Sequence, residues 1–262
     1  MYEKELEFAI KTAKEASEIV RKIYFDNSAI VQIKSDDSPV TQADLLSEKL
    51  IRSRIVESYP EYGILSEETE DNLIRLTKDY VWIVDPIDGT KDYVERTGEF
   101  TINIALAYKG EIVVGVIMIP VKNEVFFASK GNGSFREVDG KIYRNKVSEQ
   151  KENLILLGSR FHRGQQEIDY YESHKDVISE FKTYGSSYKA CKIACGEAHV
   201  YMKVGKGTKE WDVAPMAVIV KEAGGVFLTS RGNEMIFNKE NVYNNEGFFI
   251  INKMNKNLLI KD

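Results

Sequence analysis

The chain has 262 residues, 43% of them hydrophobic and 29% charged, with a formal net charge of -5. That is enough chain for one large domain or two closely packed ones, and the balance is that of a folded globular protein, not a disordered one. With an acidic total and no basic stripe, a protein that grips a nucleic acid polymer is excluded.

The first residues, Met1 to Glu5, are charged and lack the apolar core of a signal peptide. No run approaches the ~20 apolar residues of a membrane-spanning helix. The expected location is the cytoplasm, with peripheral association with the inner membrane face left open. Residues 2–25 read as an amphipathic helix, because Leu6, Ala9, Ile10, Ala13, Ala16, Val20, Ile23 and Tyr24 recur at steps of three and four. Asp36-Asp37-Ser38-Pro39 reads as a turn. A second helix follows, with Thr41 as N-cap and Asp44 three residues on in a capping-box arrangement, ending near Tyr59-Pro60.

The middle is strand-rich. Residues 81–84 form a short apolar run that stops at Asp85-Pro86, and residues 101–108 and 112–119 flank a hairpin signal at Lys109-Gly110-Glu111. A meander continues through 125–129 and the Asp139-Gly140 turn. The polar stretch 145–153 is the expected boundary between an N-terminal α+β domain, residues 1–150, and a C-terminal α/β domain, residues 151–262. In the second half, 154–158 reads as a strand, 169–181 as a helix, and a further helix runs from Ser186-Ser187 to Cys195. Cys191 and Cys195 lie four apart on one face of it, which argues against a disulfide framework and suits a reducing compartment. The three histidines, His162, His174 and His199, are too scattered to complete a zinc set. Residues 198–204 read as a strand, and Asp212 heads a helix that ends at Gly224-Gly225. Alternating strands and helices make this an α/β half behind a meandering α+β half.

The segment Val84-Asp85-Pro86-Ile87-Asp88-Gly89-Thr90 carries the most chemical information. Asp85 lies past a buried strand, Pro86 breaks it, and Asp88 follows at the turn, where Gly89 permits close backbone approach. Two carboxylates on one tight turn can face a single point. Hard cations such as magnesium take such oxygens, with water and phosphate filling the remaining positions. Residues 89 and 90 then begin a turn or helix whose free N–H groups suit an anion. An ordinary Asp-Gly turn with a capping aspartate is the other reading. Glu67-Glu68 alone is usually a solvated surface pair, and Asp44 and Asp212 alone read as helix caps. Together, however, these acids stand at the heads of four separate elements, as a shared metal site requires.

That order of motifs, Asp44, then Glu67-Glu68, then Asp85-Pro86-Ile87-Asp88-Gly89-Thr90, then Trp211-Asp212, resembles the lithium-sensitive, magnesium-dependent phosphatases of the inositol monophosphatase superfamily. The resemblance runs from Pro39 to Gly225. It implies a layered α-β-α-β-α sugar-phosphatase fold, a homodimer, and two or three magnesium ions. By the same resemblance, Glu67, Asp85 and the Ile87 carbonyl hold one ion, and Asp85, Asp88 and Asp212 hold a second. Glu67 also touches a third ion through water. Thr90 and Asp44 orient and activate the attacking water, which the metal activates, and the amides of Gly89 and Thr90 hold the scissile phosphate. No protein nucleophile is needed for such a displacement, and no Ser-His or Cys-His arrangement is evident. A non-catalytic module that binds a phosphorylated ligand is the competing class. A retired enzyme would have lost a ligand or the threonine, and all are present.

Within the superfamily, Lys91-Asp92 after the motif, Gly98-Glu99-Phe100-Thr101, Gly185-Ser186-Ser187 and Trp211-Asp212-Val213-Ala214-Pro215 resemble the 3'(2'),5'-bisphosphate nucleotidases of the CysQ type. That branch implies hydrolysis of the 3'-phosphate of 3'-phosphoadenosine 5'-phosphate, or of its sulfated form. Gly185, Ser186 and Ser187 then lie near the nucleotide. An inositol monophosphatase or fructose-1,6-bisphosphatase with the same metals is the alternative. The stretch 205–210 is more basic than the branch pattern. Lys206 or Lys209 meets the second phosphate on one reading, and they are solvated surface with Lys203 on the other.

Overall fold

The computed structural model describes residues 1–26, 31–33, 39–205 and 207–258. Residues 36–38 of the expected turn, and Lys206, lie outside the described residues.

Helix α1 (Glu3–Phe25) is the predicted N-terminal helix. A short hairpin of β1 (Val31–Ile33) and β2 (Pro39–Thr41) leads into α2 (Gln42–Ser58). Thr41 caps α2 and Asp44 closes the capping box, as its sequence spacing predicts. Then β3 (Gly63–Ser66), β4 (Tyr80–Asp88), the short helix α3 (Thr90–Val94), β5 (Thr101–Tyr108), β6 (Glu111–Ile119), β7 (Glu124–Ser129), β8 (Gly133–Val138) and β9 (Lys141–Arg144) follow. The strands β3 to β9 form one seven-stranded sheet in chain order, antiparallel except for the β3–β4 pair. The predicted β5–β6 hairpin turns through Lys109 and Gly110, both at positive φ.

The second half supplies β10 (Leu154–Ser159), α4 (Gln165–Ser173), β11 (Ile178–Tyr184), α5 (Tyr188–Ala194), β12 (Val200–Val204), α6 (Glu210–Glu222), β13 (Gly225–Thr229) and β14 (Gly247–Asn252). Its five strands order as β11-β10-β12-β14-β13, parallel on the β11–β10–β12 side and antiparallel on the other.

Side-chain alternation explains the layering. Along β4, Trp82 and Val84 pack on α1 and α2, while Val81 and Ile83 face the opposite way, toward α5 and α6. Along β6, Val114, Val116 and Met118 join the α1–α2 side, and Ile117 and Ile119 the α6 side. Both faces are covered, so β5 and β6 read as near-continuous apolar runs. The five-stranded sheet covers the far side of α5 and α6, and α4 covers its outer face through Tyr170, packed with Leu156, Val200 and Phe249. The stack is therefore α1/α2, sheet, α5/α6, sheet, α4, the layered α-β-α-β-α arrangement that the family resemblance implies. Among the described residues no helix is long and apolar enough to cross a membrane.

Two element boundaries differ from expectation. Strand β4 does not stop at Asp85-Pro86. Its pairing with β5 skips Pro86 and Ile87, then resumes as Asp88 opposite Thr101. Pro86 has no N–H to give the ladder, so the break is a bulge and not an end. The helix expected over 169–181 is instead α4 followed by β11. Tyr170, Tyr171, Val177, Ile178 and Phe181 mimic helical spacing, but β11 is an edge strand with exposed Ser179 and Glu180, so its two-residue period is blurred.

Candidate active site

The β4 bulge lies at the seam between the sheets. Residues 81, 83 and 85 share one face of β4, so Asp85 continues the face that packs toward α6. Its side chain is 1% exposed. The Ile87 N–H donates to Asp85 Oδ1 at 3.0 Å, and the Pro86 carbonyl accepts from Ser47 Oγ at 3.1 Å. The bulge therefore has its polar groups spoken for from both sides. Glu67 follows β3, and its N–H donates to the Val84 carbonyl at 3.3 Å, which sets it beside Asp85.

Asp88 is held by the second half of the chain. The Ser187 N–H donates to Asp88 Oδ2 at 2.6 Å, with the Ser187 hydroxyl at 2.5 Å from the same oxygen. Asn103 Nδ2 bridges three groups: Ser187 Oγ at 2.8 Å, Asp88 Oδ2 at 3.3 Å and the Trp211 carbonyl at 3.3 Å. The last contact has a cause in the sequence. Pro215 lies inside α6 and has no N–H for the carbonyl four residues before it, that of Trp211. Asn103 supplies the missing donor.

Asp212 is the third residue of α6 and not its cap. One oxygen, Oδ2, accepts the Lys209 N–H at 2.7 Å. Asp44 has the same place in α2: Oδ2 accepts the Thr41 N–H at 2.8 Å, and Oδ1 lies 3.3 Å from Thr90 Oγ1. Capping and site geometry thus coexist in one carboxylate. Thr90 Oγ1 lies equally far, 3.3 Å, from the Ile87 carbonyl.

Carboxylate oxygens of Asp85, Asp88 and Asp212 all lie within 4.8 Å of one another. Glu67 is outside that tight group but close enough to act on it electrostatically. The Asp85 pKa is raised well above the ordinary carboxylate range by burial first, then by Glu67, Asp88 and Asp212. Asp212 is raised likewise by burial, then by Asp88 and Glu67. Asp44 is pushed up to about 6, mainly by burial. Buried like charges at this spacing need a cation or protons between them. The donor set is entirely oxygen, which fits a hard divalent ion such as magnesium.

Gly89 caps α3 at φ 88°, a conformation that favours glycine. The segment 185–187 is tied to the first half by Glu99, whose Oε2 accepts the Gly185 N–H at 2.9 Å and whose carbonyl accepts the Ser186 hydroxyl at 2.8 Å. A Cβ on residue 185 would lie 2.4 Å from the Glu99 carbonyl oxygen and 2.6 Å from Asp92 Cγ, so only glycine fits. Lys209 Nζ rests 5.2 Å from the Trp211 ring and 5.7 Å from that of Tyr243.

Several residues here escape sequence reading. Asn103 is one, although Thr101 and Asn103 are polar at alternate positions of a strand buried on both faces. Lys189 is another, a lysine 2% exposed inside apolar α5. Its Nζ donates to the Ser186 carbonyl at 2.6 Å and the Tyr184 carbonyl at 3.2 Å. Burial brings it down to about 8, against the pull of Asp88 and Asp92.

The whole chain, residues 1–262, matches the model of the inositol monophosphatase family. A CysQ bisphosphate nucleotidase of Salmonella typhimurium is 32% identical over 248 residues, covering 93% of this chain and 98% of that protein. The chain belongs to the inositol monophosphatase family. Within this family it is also 28% identical to an inositol monophosphatase of Dictyostelium discoideum, over 98% of this chain and 95% of that one. Among solved structures, CysQ from Bacteroides thetaiotaomicron superposes with a TM-score of 0.84 at 31% identity, over 97% of this chain and 98% of that one. The inositol monophosphatase of Thermotoga maritima gives 0.79 at 25% identity, over 96% and 93%.

Proposed function

We propose that this chain is a magnesium-dependent 3'(2'),5'-bisphosphate nucleotidase. It removes the 3'-phosphate of 3'-phosphoadenosine 5'-phosphate, or of its sulfated form, to leave AMP or adenylyl sulfate and phosphate. The observation that carries the reading is the triad of Asp85, which is buried, with the half-buried Asp88 and Asp212, beside the Thr90–Asp44 pair. The nucleotidase names of the CysQ relatives support the substrate.

Asp85, Asp88 and Asp212, with Glu67 and the Ile87 carbonyl, would hold two or three Mg2+ ions, which supply charge neutralisation at phosphate and a lower pKa for water. The amides of Gly89 and Thr90, at the start of α3, bind the scissile phosphate. Thr90 Oγ1 takes a proton from a water beside it and passes its own to Asp44 Oδ1. Burial raises the pKa of Asp44, which makes it a better acceptor for that proton. In this reading Gly185, Ser186 and Ser187 shape the nucleotide pocket, and Lys209 faces the second phosphate. Positive charge is plentiful nearby: partial burial and then Lys91, Lys203 and Lys189 lower the pKa of His162. The halves 1–150 and 151–262 share the site, the first giving Asp44, Glu67, Asp85 and Asp88 and the second giving Asp212.

Phosphate release with Mg2+ tests this on 3'-phosphoadenosine 5'-phosphate, inositol 1-phosphate and fructose 1,6-bisphosphate, with and without lithium. A strong preference for the nucleotide, inhibited by lithium, is expected. Preference for inositol or sugar phosphate would keep the metal site and overturn the substrate.

A further inference from the structure

The buried side of α2 carries Asp44, Ser47 and Glu48 at the helical spacing i, i+3, i+4. Asp44 meets Thr90, and Ser47 meets the Pro86 carbonyl in the β4 bulge. Glu48, 5% exposed, meets neither. Its Oε2 accepts from the Ser66 hydroxyl, and its Oε1 accepts from Thr69 Oγ1 at 2.8 Å. Those two hydroxyls bracket Glu67 and Glu68. Arg52 Nε, one turn along the helix, is 3.9 Å from Glu48 and offsets its charge.

The bracket matters because of what else holds this turn. The Glu67 N–H bond to Val84 continues the β3–β4 pairing. A pocket of ≈ 50 Å³ lined by Arg52, Leu65, Ser66, Thr69 and Asp71 flanks the turn, so packing does not fill that side. A buried carboxylate satisfied by two hydroxyls is a firm tie, since the charged oxygens would otherwise lose their donors inside the protein.

We propose that Glu48 is a positioning residue: it clamps the turn that carries Glu67 against β4 and so sets the affinity of the site for its cation. The inference rests on Glu67 being a cation ligand, as proposed above. The partners of Glu48 are Ser66, Thr69 and Arg52 and not the triad, so its loss acts through Glu67.

The test measures the Mg2+ concentration for half-maximal activity, and separately the Mg2+ dependence of the melting temperature without substrate. Glu48→Ala is expected to raise both midpoints about 10-fold, the usual effect of losing an outer partner of a ligand, with activity recovering at high Mg2+. Glu48→Gln keeps an oxygen acceptor and an amide for the two hydroxyls, and restores most of the affinity. Thr69→Val removes half the bracket with little change of shape and gives a smaller shift in the same direction, which keeps the test open if Glu48→Ala does not fold. Ile250→Val, in the core, lowers the melting temperature without moving either midpoint. Unchanged midpoints in Glu48→Ala or in Thr69→Val, alongside a raised midpoint in Glu67→Gln, would overturn the clamp. An unchanged midpoint in Glu67→Gln would instead remove the premise that Glu67 binds the cation.

Discussion

Asp44 and Asp212 each divide their two oxygens between tasks. In Asp44, Oδ2 closes the first turn of α2 and Oδ1 meets Thr90. In Asp212, Oδ2 closes the first turn of α6, and the carboxylate still belongs to the triad. Asp88 differs, because its Oδ2 is bound from across the seam by Ser187. Asp88→Asn keeps an acceptor for Ser187 but removes the charge. It is expected to abolish turnover at every Mg2+ concentration, while the metal-free melting temperature is no lower than wild type, because like-charge repulsion is relieved. Calorimetry beside a phosphate-release assay checks both. For Asp44 the sign is set by burial. Its folded pKa of about 6 exceeds the ordinary 3.8 of an aspartate, so the folded state binds the proton more tightly. The stability it confers is full below pH 3.8 and is lost as pH rises through about 6. Denaturation of the chelated protein at pH 4 and pH 6.5 should show a smaller loss in Asp44→Asn than in wild type. At this scale the acids were legible as a pattern, although only Asp44 and Asp212 stand at the heads of elements; Glu67 follows β3, and Asp85 and Asp88 lie in β4. Asn103, Lys189 and Glu48 were not legible, since their partners are distant in the chain and only the fold brings them close.

Helix α6 is the element on which the seam depends. It packs against the seven-stranded sheet so closely that a Cβ on Gly115 would lie 2.6 Å from Val218 Cγ1 and 2.8 Å from the Pro215 carbonyl oxygen. Gly115→Ala must push α6 outward, at a cost of about 1–3 kcal/mol by chemical denaturation. Since α6 carries Asp212, activity should fall with it. Asn103→Ala leaves the Trp211 carbonyl without the donor that Pro215 denies it. A loss of about 1–3 kcal/mol is expected in the same measurement. Element types were mostly readable from periodicity, as in α1, α2 and the β5–β6 hairpin. The failures have physical reasons: Pro86 looks like an end because it breaks the ladder, and β11 looks helical because an edge strand need not alternate strictly.

Across the whole molecule, the site is a partly buried concentration of negative charge where two sheets meet. With no cation, Asp85 and Asp212 both hold protons more tightly in the folded state than in the unfolded chain. Metal-free stability therefore falls as pH rises above the ordinary carboxylate range. Mg2+ removes that penalty, so it should raise the melting temperature more at pH 7.5 than at pH 5, by several degrees in thermal scans. An equal rise at both pH values would count against carboxylates as the binding groups.

The central layer also has a consequence for synthesis. The inner face of the seven-stranded sheet, with Ile83, Ala105, Ile117 and Ile119, is complete by residue 144, but α6, the helix that covers it, spans Glu210–Glu222. A ribosome adding roughly 5–20 residues per second would leave that face without its cover for several seconds. During that interval the growing chain is a sheet with one greasy side open, a natural client for a chaperone, and only the late arrival of α6 both seals the core and brings in the last carboxylate.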